Sequence, residues 1–571
     1  MKIMTRAGLL LAAIIGCNDQ GSTSRRLEVG ENPDLSAHSS EFKRGVVKVT
    51  DGVHVAIGYG LANSILIEGE DGLIIVDTME SAEAARPVKA AFDEISSKPV
   101  KAIIYTHNHA DHVFGAGVLA GKDQPDVYSH ASTIYYLERV VNVIRPIIFR
   151  RAMRQFGTML PEGGVINAGI GPRLISDAET TPALLWPTKT FSGESLSIEV
   201  SGVKMELVFA PGETPDQIFV WIPDKKVLLP GDNFYRSFPN LYAIRGTPYR
   251  DVMKWVDSLD KMRALNPEFL VPSHTRPISG AREIHDALTD YRDAIQFVHD
   301  QTVRGMNQGL TPDEIVERVK LPAHLVGKPY LQPYYGRVDW SVRAIFSGYL
   351  GWFSGNATEL FPLAPKGRAE RMAALVGGAE ELLQRAQTAS EGGDPQWAVE
   401  LADQVLMLDP ENAAARAVRA AALTALGEAQ ISANGRNYFL TQALEAEKTL
   451  EIVPLDPSKA PVDLLRSFPI DSFMRSLPVN LDAEKSADKN VVVGFRFTDT
   501  GEAYTVHLRS GVAEVQPRFP DKPDIAVTME TLVWKEILSG RRNAAVAFAG
   551  GDVEVDGSTI ELVKFLLLFR P

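Results

Sequence analysis

Cysteine is almost absent: Cys17 is the only one in 571 residues. The chain therefore closes no intramolecular disulfide and builds no thiolate-rich zinc site. Any bound metal has to be held by histidine, aspartate and glutamate. A basic excess is missing too. Lys and Arg number 59 against 72 Asp and Glu, a net charge of −13, and neutralising the phosphates of a nucleic acid needs a basic surface. The charge argues against a nucleic-acid partner, although local positive sites still fit inside an acidic protein. No apolar run is long enough to span a bilayer as a helix. Nor can a chain of this length share one hydrophobic core, so several domains are expected.

The N-terminus reads as a targeting segment. Lys2 and Arg6 precede an apolar run from Ala7 to Gly16, which ends in Ile14-Ile15-Gly16-Cys17. This resembles a bacterial lipoprotein signal, residues 1–17, with Cys17 as the lipidated residue. The expectation is an exported protein, a periplasmic or cell-surface lipoprotein held to the membrane through Cys17. A plain secretory signal or an uncleaved anchor would also export it. Residues 18–40 are polar and read as a tether.

From Val46 the pattern alternates between strands and helices. Strands at 62–67 and 72–77 flank a Glu-Asp-Gly turn, a helix follows at roughly 80–96, and a strand covers 102–105. Further strands are predicted at 203–209, 218–222, 226–230 and 268–272. The pattern suits a sheet sandwich flanked by helices over 41–300. Residues 310–365 are rich in Tyr, Trp and Pro and too apolar for a linker. Helical sequence over 367–450 resembles tetratricopeptide-like pairs, giving an all-α module at 301–455. Over 456–571 the period changes to strands of a meander at 493–498, 503–508 and 512–515, followed by helices near 529–539 and 559–569. That order resembles the sterol-carrier fold, an α+β domain around an apolar tunnel; a purely structural cap fits as well.

The chemistry concentrates in Tyr105-Thr106-His107-Asn108-His109-Ala110-Asp111-His112, just after a strand. Three of the eleven histidines fall within these six positions, 107 to 112, with an Asp between them. Alternate residues of an extended chain point the same way, so His107 and His109 can grip one metal. The turn into a helix can swing Asp111 and His112 toward a second. Imidazole and carboxylate are what zinc accepts when thiolate is absent. Three later strands each end in a Pro and a potential ligand: Pro211-Gly212-Glu213, Pro230-Gly231-Asp232 and Pro272-Ser273-His274.

In this order the motifs resemble the metallo-β-lactamase superfamily over about residues 45–290, and with it an αββα sandwich is implied. The superfamily usually has His where this chain has Glu213; a Glu there, with the two following domains, resembles the alkylsulfatase branch. Asn240-Leu241-Tyr242-Ala243-Ile244-Arg245-Gly246, Tyr334-Tyr335-Gly336, Tyr349-Leu350-Gly351-Trp352-Phe353 and Gly494-Phe495-Arg496-Phe497 extend that likeness to nearly the whole chain. The resemblance implies two Zn2+ ions. It puts His107, His109 and Glu213 on the first, Asp111, His112 and His274 on the second, and Asp232 between them, with Asp111 and Asp232 as the catalytic carboxylates. Arg245, Asn240 and Tyr335 fall to substrate binding, and a homodimer through the helical region is implied.

Two departures stand out. Asp232 replaces the usual Glu and is one methylene shorter. The stretch Phe234-Tyr235-Arg236 has no histidine where the family carries one suited to protonate the leaving group; either Tyr235 or Arg236 takes over, or the leaving group needs less help. The implied reaction is hydrolysis of an amphiphilic alkyl sulfate ester to alcohol and sulfate by a hydroxide on two zinc ions. A hydrolase of another ester, a lactone or a β-lactam is the nearest alternative, and a non-catalytic lipid-binding adaptor a more distant one.

Overall fold

The computed structural model describes residues 29–177, 179–453 and 456–569; Cys17, the signal and the first part of the tether lie outside them. Two sheets form the first half. One contains β1 (Gly45–Thr50), β2 (Val53–Ile57), β3 (Ser64–Glu68), β4 (Leu73–Val76), β5 (Val100–Ile104), β6 (Asp126–His130) and β7 (Lys189–Phe191), paired in that order. It is antiparallel from β1 to β4 and parallel from β4 to β7. The second contains β8 (Ser195–Val200), β9 (Val203–Phe209), β10 (Ile218–Ile222), β11 (Val227–Leu229), β12 (Phe269–Leu270) and β13 (Ile278–Ser279), in the order β13-β12-β11-β10-β9-β8.

Near-continuous apolar runs make β3, β4, β10 and β11, whose two faces are both covered, whereas β8 and β9 alternate between covered and exposed residues. Ile65, Ile67, Ile74, Val76 and Ile104 meet Leu207, Val220, Ile222 and Leu229 between the sheets. Leu66, Ile75 and Ile103 point the other way, onto helix Ala82–Asp93 through Ala85, Val88 and Phe92. Phe219, Trp221 and Leu228 do the same against Trp255 and Leu259 of helix Val252–Ala264 and Leu288 and Ile295 of helix Ala281–Asn307. The result is the αββα sandwich implied by the motifs. Helix Ala281–Asn307 continues unbroken through residue 300.

Helix Val338–Leu350 packs Val342, Ile345 and Phe346 into the same core. Its last turn and the aromatic stretch that follows do not: Tyr349, Trp352 and Phe361 are exposed, Phe361 by 95%. Helices Ala379–Glu391, Pro395–Leu408, Ala413–Glu428 and Ala433–Ala446 form the helical module around a small Ala/Leu core.

The last sheet is not a simple meander. β14 (Asn490–Phe497), β15 (Ala503–Arg509) and β16 (Val512–Gln516) are antiparallel, but β17 (Ile525–Met529) crosses back to pair parallel with β14, and β18 (Val553–Asp556) adds to β17. Phe495, Phe497, Val506 and Trp534 fill its covered face. Phe468 leaves this unit to sit against Trp186 of the first one, ring centroids 5.1 Å apart.

Candidate metal centre

Five strand ends supply the site. Thr106 to His112 follow β5, Asp77 follows β4, Glu213 β9, Asp232 β11 and His274 β12. The candidate ligands and Asp77 are buried except His109, which is half-buried. The turn before Asp232 requires Gly231: its φ is +59°, and a Cβ there would lie 2.0 Å from Gln217 Nε2.

Asp232 Oδ2 is the hub. It lies 3.2 Å from His274 Nε2, 3.4 Å from His112 Nε2 and 3.6 Å from His107 Nε2. Asp111 Oδ2 is 3.4 Å from His112 Nε2 and 3.5 Å from His274 Nε2, so Asp111, His112 and His274 converge on one point. On the other side His107 Nε2 and His109 Nδ1 are 2.9 Å apart, and His109, Glu213 and Asp232 bring their ligand atoms within 4.8 Å of one another.

The opposite ring nitrogens are already engaged. His107 Nδ1 is 3.0 Å from Thr106 Oγ1, His112 Nδ1 is 2.8 Å from Asp77 Oδ2, and His274 Nδ1 donates to the Leu61 carbonyl at 2.9 Å. Each Nε2 is thereby aimed inward, and an engaged outer nitrogen is the contact that ligating histidines characteristically make. His112 Nε2 and Asp232 Oδ1 are buried with no hydrogen-bond partner. Buried polar atoms are rarely left so, and these fit a cation.

Electrostatics agree. Burial, helped by His112, pushes His107 down to about 3, and burial with Arg245 holds His109 well below the usual histidine range. Both are neutral, as ligands must be. Burial opposes the charge of His112, but Asp232, Asp111 and Asp77 outweigh it and hold its pKa well above normal. Burial likewise opposes ionised Asp232, yet His274, His112 and His107 keep its pKa well below the carboxylate range. Protons thus balance carboxylates where a metal's charge would.

The substrate residues lie beside this cluster. Arg245 Nη2 is 2.9 Å from His109 Nε2, and its Nη1 is buried without a partner. Gln155 Oε1 accepts from the Arg245 backbone at 2.9 Å. Asn240 is buried, its backbone N–H donating to Tyr235 OH at 2.7 Å and both side-chain amide atoms unpartnered. Tyr335 is buried with its ring 5.7 Å from that of Tyr235. Of the two residues considered for leaving-group protonation, Arg236 faces away, toward Glu41 at 3.4 Å and the Pro277 carbonyl at 3.0 Å. Tyr235 OH donates to Glu213 Oε2 at 3.4 Å.

Three participants escape sequence reasoning. Asp77 accepts from His112, from Ser273 Oγ at 2.6 Å and from the Thr106 backbone at 2.9 Å. Arg250 forms a buried ion pair with Glu213, 2.5 Å long. Glu80 accepts from the Leu61 backbone at 3.0 Å and so fixes the carbonyl that orients His274. Only Asp77 carried a signal, as the acid closing a strand.

Known proteins match along most of the chain. Residues 57–274 match the metallo-β-lactamase superfamily, 311–449 the alkyl sulfatase dimerisation family, and 458–571 the alkyl sulfatase C-terminal family. A linear primary-alkylsulfatase from Pseudomonas sp. is 39% identical over 522 residues, 88% of this chain and 98% of that one. An (R)-specific secondary-alkylsulfatase, also from Pseudomonas sp., is 30% identical over 94% of this chain and 82% of its own. The solved structure of the stereoselective inverting sec-alkylsulfatase Pisa1 from Pseudomonas sp. superposes with a TM-score of 0.88 at 28% identity, covering 95% of this chain and 87% of that one. This chain belongs to the alkylsulfatase family of the metallo-β-lactamase superfamily.

Proposed function

We propose that this chain hydrolyses alkyl sulfate esters to alcohol and inorganic sulfate at a centre of two zinc ions. The carrying observation is Asp232 Oδ2, one oxygen within 3.6 Å of three inward-facing imidazole nitrogens. His107, His109 and Glu213 would hold one ion, Asp111, His112 and His274 the other, with Asp232 shared. Bound there, zinc would lower the pKa of water from about 16 to about 7 and supply hydroxide at neutral pH.

The protein's own groups do the rest. Asp111, Glu213 and Asp232 with one hydroxide would bring four negative charges against the four positive charges of two zinc ions, and a neutral centre does not repel an anionic ester. Arg245 Nη1 and the Asn240 amide are buried donors without partners, suited to sulfate oxygens, and a guanidinium fork fits them in a way an ammonium does not. Tyr335 closes the apolar wall formed by Leu61, Phe156 and Ile170. The relatives' names place alkyl sulfates among their substrates, which is why a sulfate ester is preferred here to a lactone or β-lactam.

We also read the exposed Tyr349, Trp352 and Phe361 as the face of a homodimer, since they fall in the stretch matching the dimerisation family. Among the described residues no helix is long and apolar enough to cross a membrane, and the proposed anchor is the lipid on Cys17 of an exported lipoprotein. The deciding experiment couples metal analysis to sulfate release on a panel of sulfate, phosphate and lactone substrates. About two zinc per chain with sulfate-ester turnover is expected; a metal-free chain, or one turning over only the other substrates, would refute the proposal.

A further inference from the structure

We infer that Arg250 is the positioning residue that allows Glu213 to serve as a metal ligand. The inference rests on the metal-centre reading above. Arg250 is 1% exposed, and Glu213, its one carboxylate partner among the described residues, lies 2.5 Å from its Nη1. The same Nη1 donates to the Asn240 carbonyl, while Nε and Nη2 have no partner. A guanidinium buried this deeply has no other anion to answer.

The need for it comes from the carboxylates. Glu213, Asp111 and Asp232 are all buried within one cluster, and an uncompensated buried charge is strongly destabilising. The imidazoles His107, His112 and His274 surround Asp232, and His112 and His274 face Asp111. Among the described residues no histidine lies within salt-bridge distance of Glu213, whereas Arg250 does. Direction matters as well as charge. Both Arg250 Nη1 and Tyr235 OH contact Oε2 of Glu213, and the Glu213 backbone N–H is fixed on Asn233 Oδ1 at 3.0 Å. With one carboxylate oxygen so held, Oε1 is the oxygen left to face a metal. A histidine at position 213 would bring no charge and would need no such partner. Arg250 and Glu213 therefore form one functional pair, separated in sequence by the loop that carries Asn240 and Arg245.

The test is a pair of variants read by metal content per chain and by zinc affinity in chelator competition. R250Q should stay folded, lose about one of the two zinc equivalents and bind the remaining loosened site about 10- to 100-fold more weakly. E213H/R250Q should regain the second equivalent, because a neutral ligand has replaced the charged one. Wild-type affinity in R250Q would overturn the inference. So would equal loss in R250Q and E213H/R250Q, since that pattern means Arg250 only closes the loop at Asn240. Should R250Q fail to fold, E213H/R250M decides. A folded double variant with two zinc ions supports the pairing, and one that is unfolded or short of metal overturns it. A wild-type chain without metal would instead refute the centre itself, before any variant is compared.

Discussion

Asp77 Oδ2 accepts hydrogen bonds from His112 Nδ1 at 2.8 Å and from Ser273 Oγ at 2.6 Å, joining the ends of strands from both sheets. Its other oxygen takes the Thr106 backbone N–H at 2.9 Å. One carboxylate thus fixes the residue before His107, the ring of His112 and the residue before His274. Asp77 adopts φ +59°, a conformation uncommon outside glycine and held here by these bonds. Asp77→Asn keeps the shape but puts a weaker acceptor, or a donor, against His112 Nδ1. Zinc affinity should fall about 10- to 100-fold, measured by chelator competition, and an unchanged affinity would remove Asp77 from the support of the centre.

Much of this was legible in advance, for physical reasons that differ by element. The strands β3, β4, β10 and β11 stand out because burial on both faces forces unbroken apolar runs, β8 and β9 because one covered face leaves a period of two, and the ligands Glu213, Asp232 and His274 follow a Pro each time. His107 to His112 are legible because a metal needs donors crowded in sequence or in space, and here they are crowded in sequence. Arg250 and Glu80 are not. Each acts on a partner distant in the chain, Arg250 on Glu213 and Glu80 on Leu61, and a lone Arg or Glu in a sequence most often marks a solvated surface. The crossover pairing β17 with β14 was hidden too, since a period of two fixes faces but not neighbours.

Arg245→Lys keeps the charge and loses the fork. A charge-assisted hydrogen bond contributes about 1.5–3 kcal/mol, so kcat/KM for a sulfate ester should drop roughly 10- to 100-fold, mainly through KM. Zinc content should stay at the wild-type value, because Lys keeps a cation beside His109 and Arg245 is itself no ligand. Unaltered kinetics would take Arg245 out of the substrate site.

Glu80 offers a pH signature. Burial, reinforced by the charge of Asp111, raises its carboxyl from 4.5 to about 7. Between those values the unfolded chain releases the proton and the folded protein keeps it. The associated stability is complete below about pH 4.5 and is lost as pH rises through 7. Glu80→Gln has no such proton to lose. With chelator present throughout, the Tm of Glu80→Gln minus that of wild type should climb from pH 5 to 7 and level off above. A flat difference would show that Glu80 ionises normally.

The exposed aromatics make a prediction about assembly. Trp352 is 73% and Phe361 95% exposed, more apolar surface than a lone folded chain usually presents in one stretch. The double substitution Trp352→Asp and Phe361→Asp should convert a dimer to a monomer in sedimentation velocity, with little change in Tm of the αββα unit. A dimer that persists would place the interface elsewhere on the helical module.

The C-terminal unit docks on the first through Phe468, with Leu464 and Phe473 packed beside it, and its role in holding the alkyl tail can be tested there. Phe468 lies 4% exposed against Trp186, and its carbonyl accepts from the buried Lys535 Nζ at 2.5 Å. The β14–β18 sheet has a core of its own, so Phe468→Ala should undock this unit without unfolding it, at a cost of about 3–5 kcal/mol of packing. Limited proteolysis between residues 450 and 470 would report the undocking. If the docked unit shelters the tail, each added methylene of substrate contributes about 0.8 kcal/mol, roughly fourfold in kcat/KM, until the tail is covered. In Phe468→Ala that slope should flatten while short-chain sulfate esters are still cleaved at the wild-type rate, since no metal ligand belongs to this unit. An undocked variant with an unchanged slope would show that the tail lies against the first unit, and that the C-terminal unit serves the fold alone.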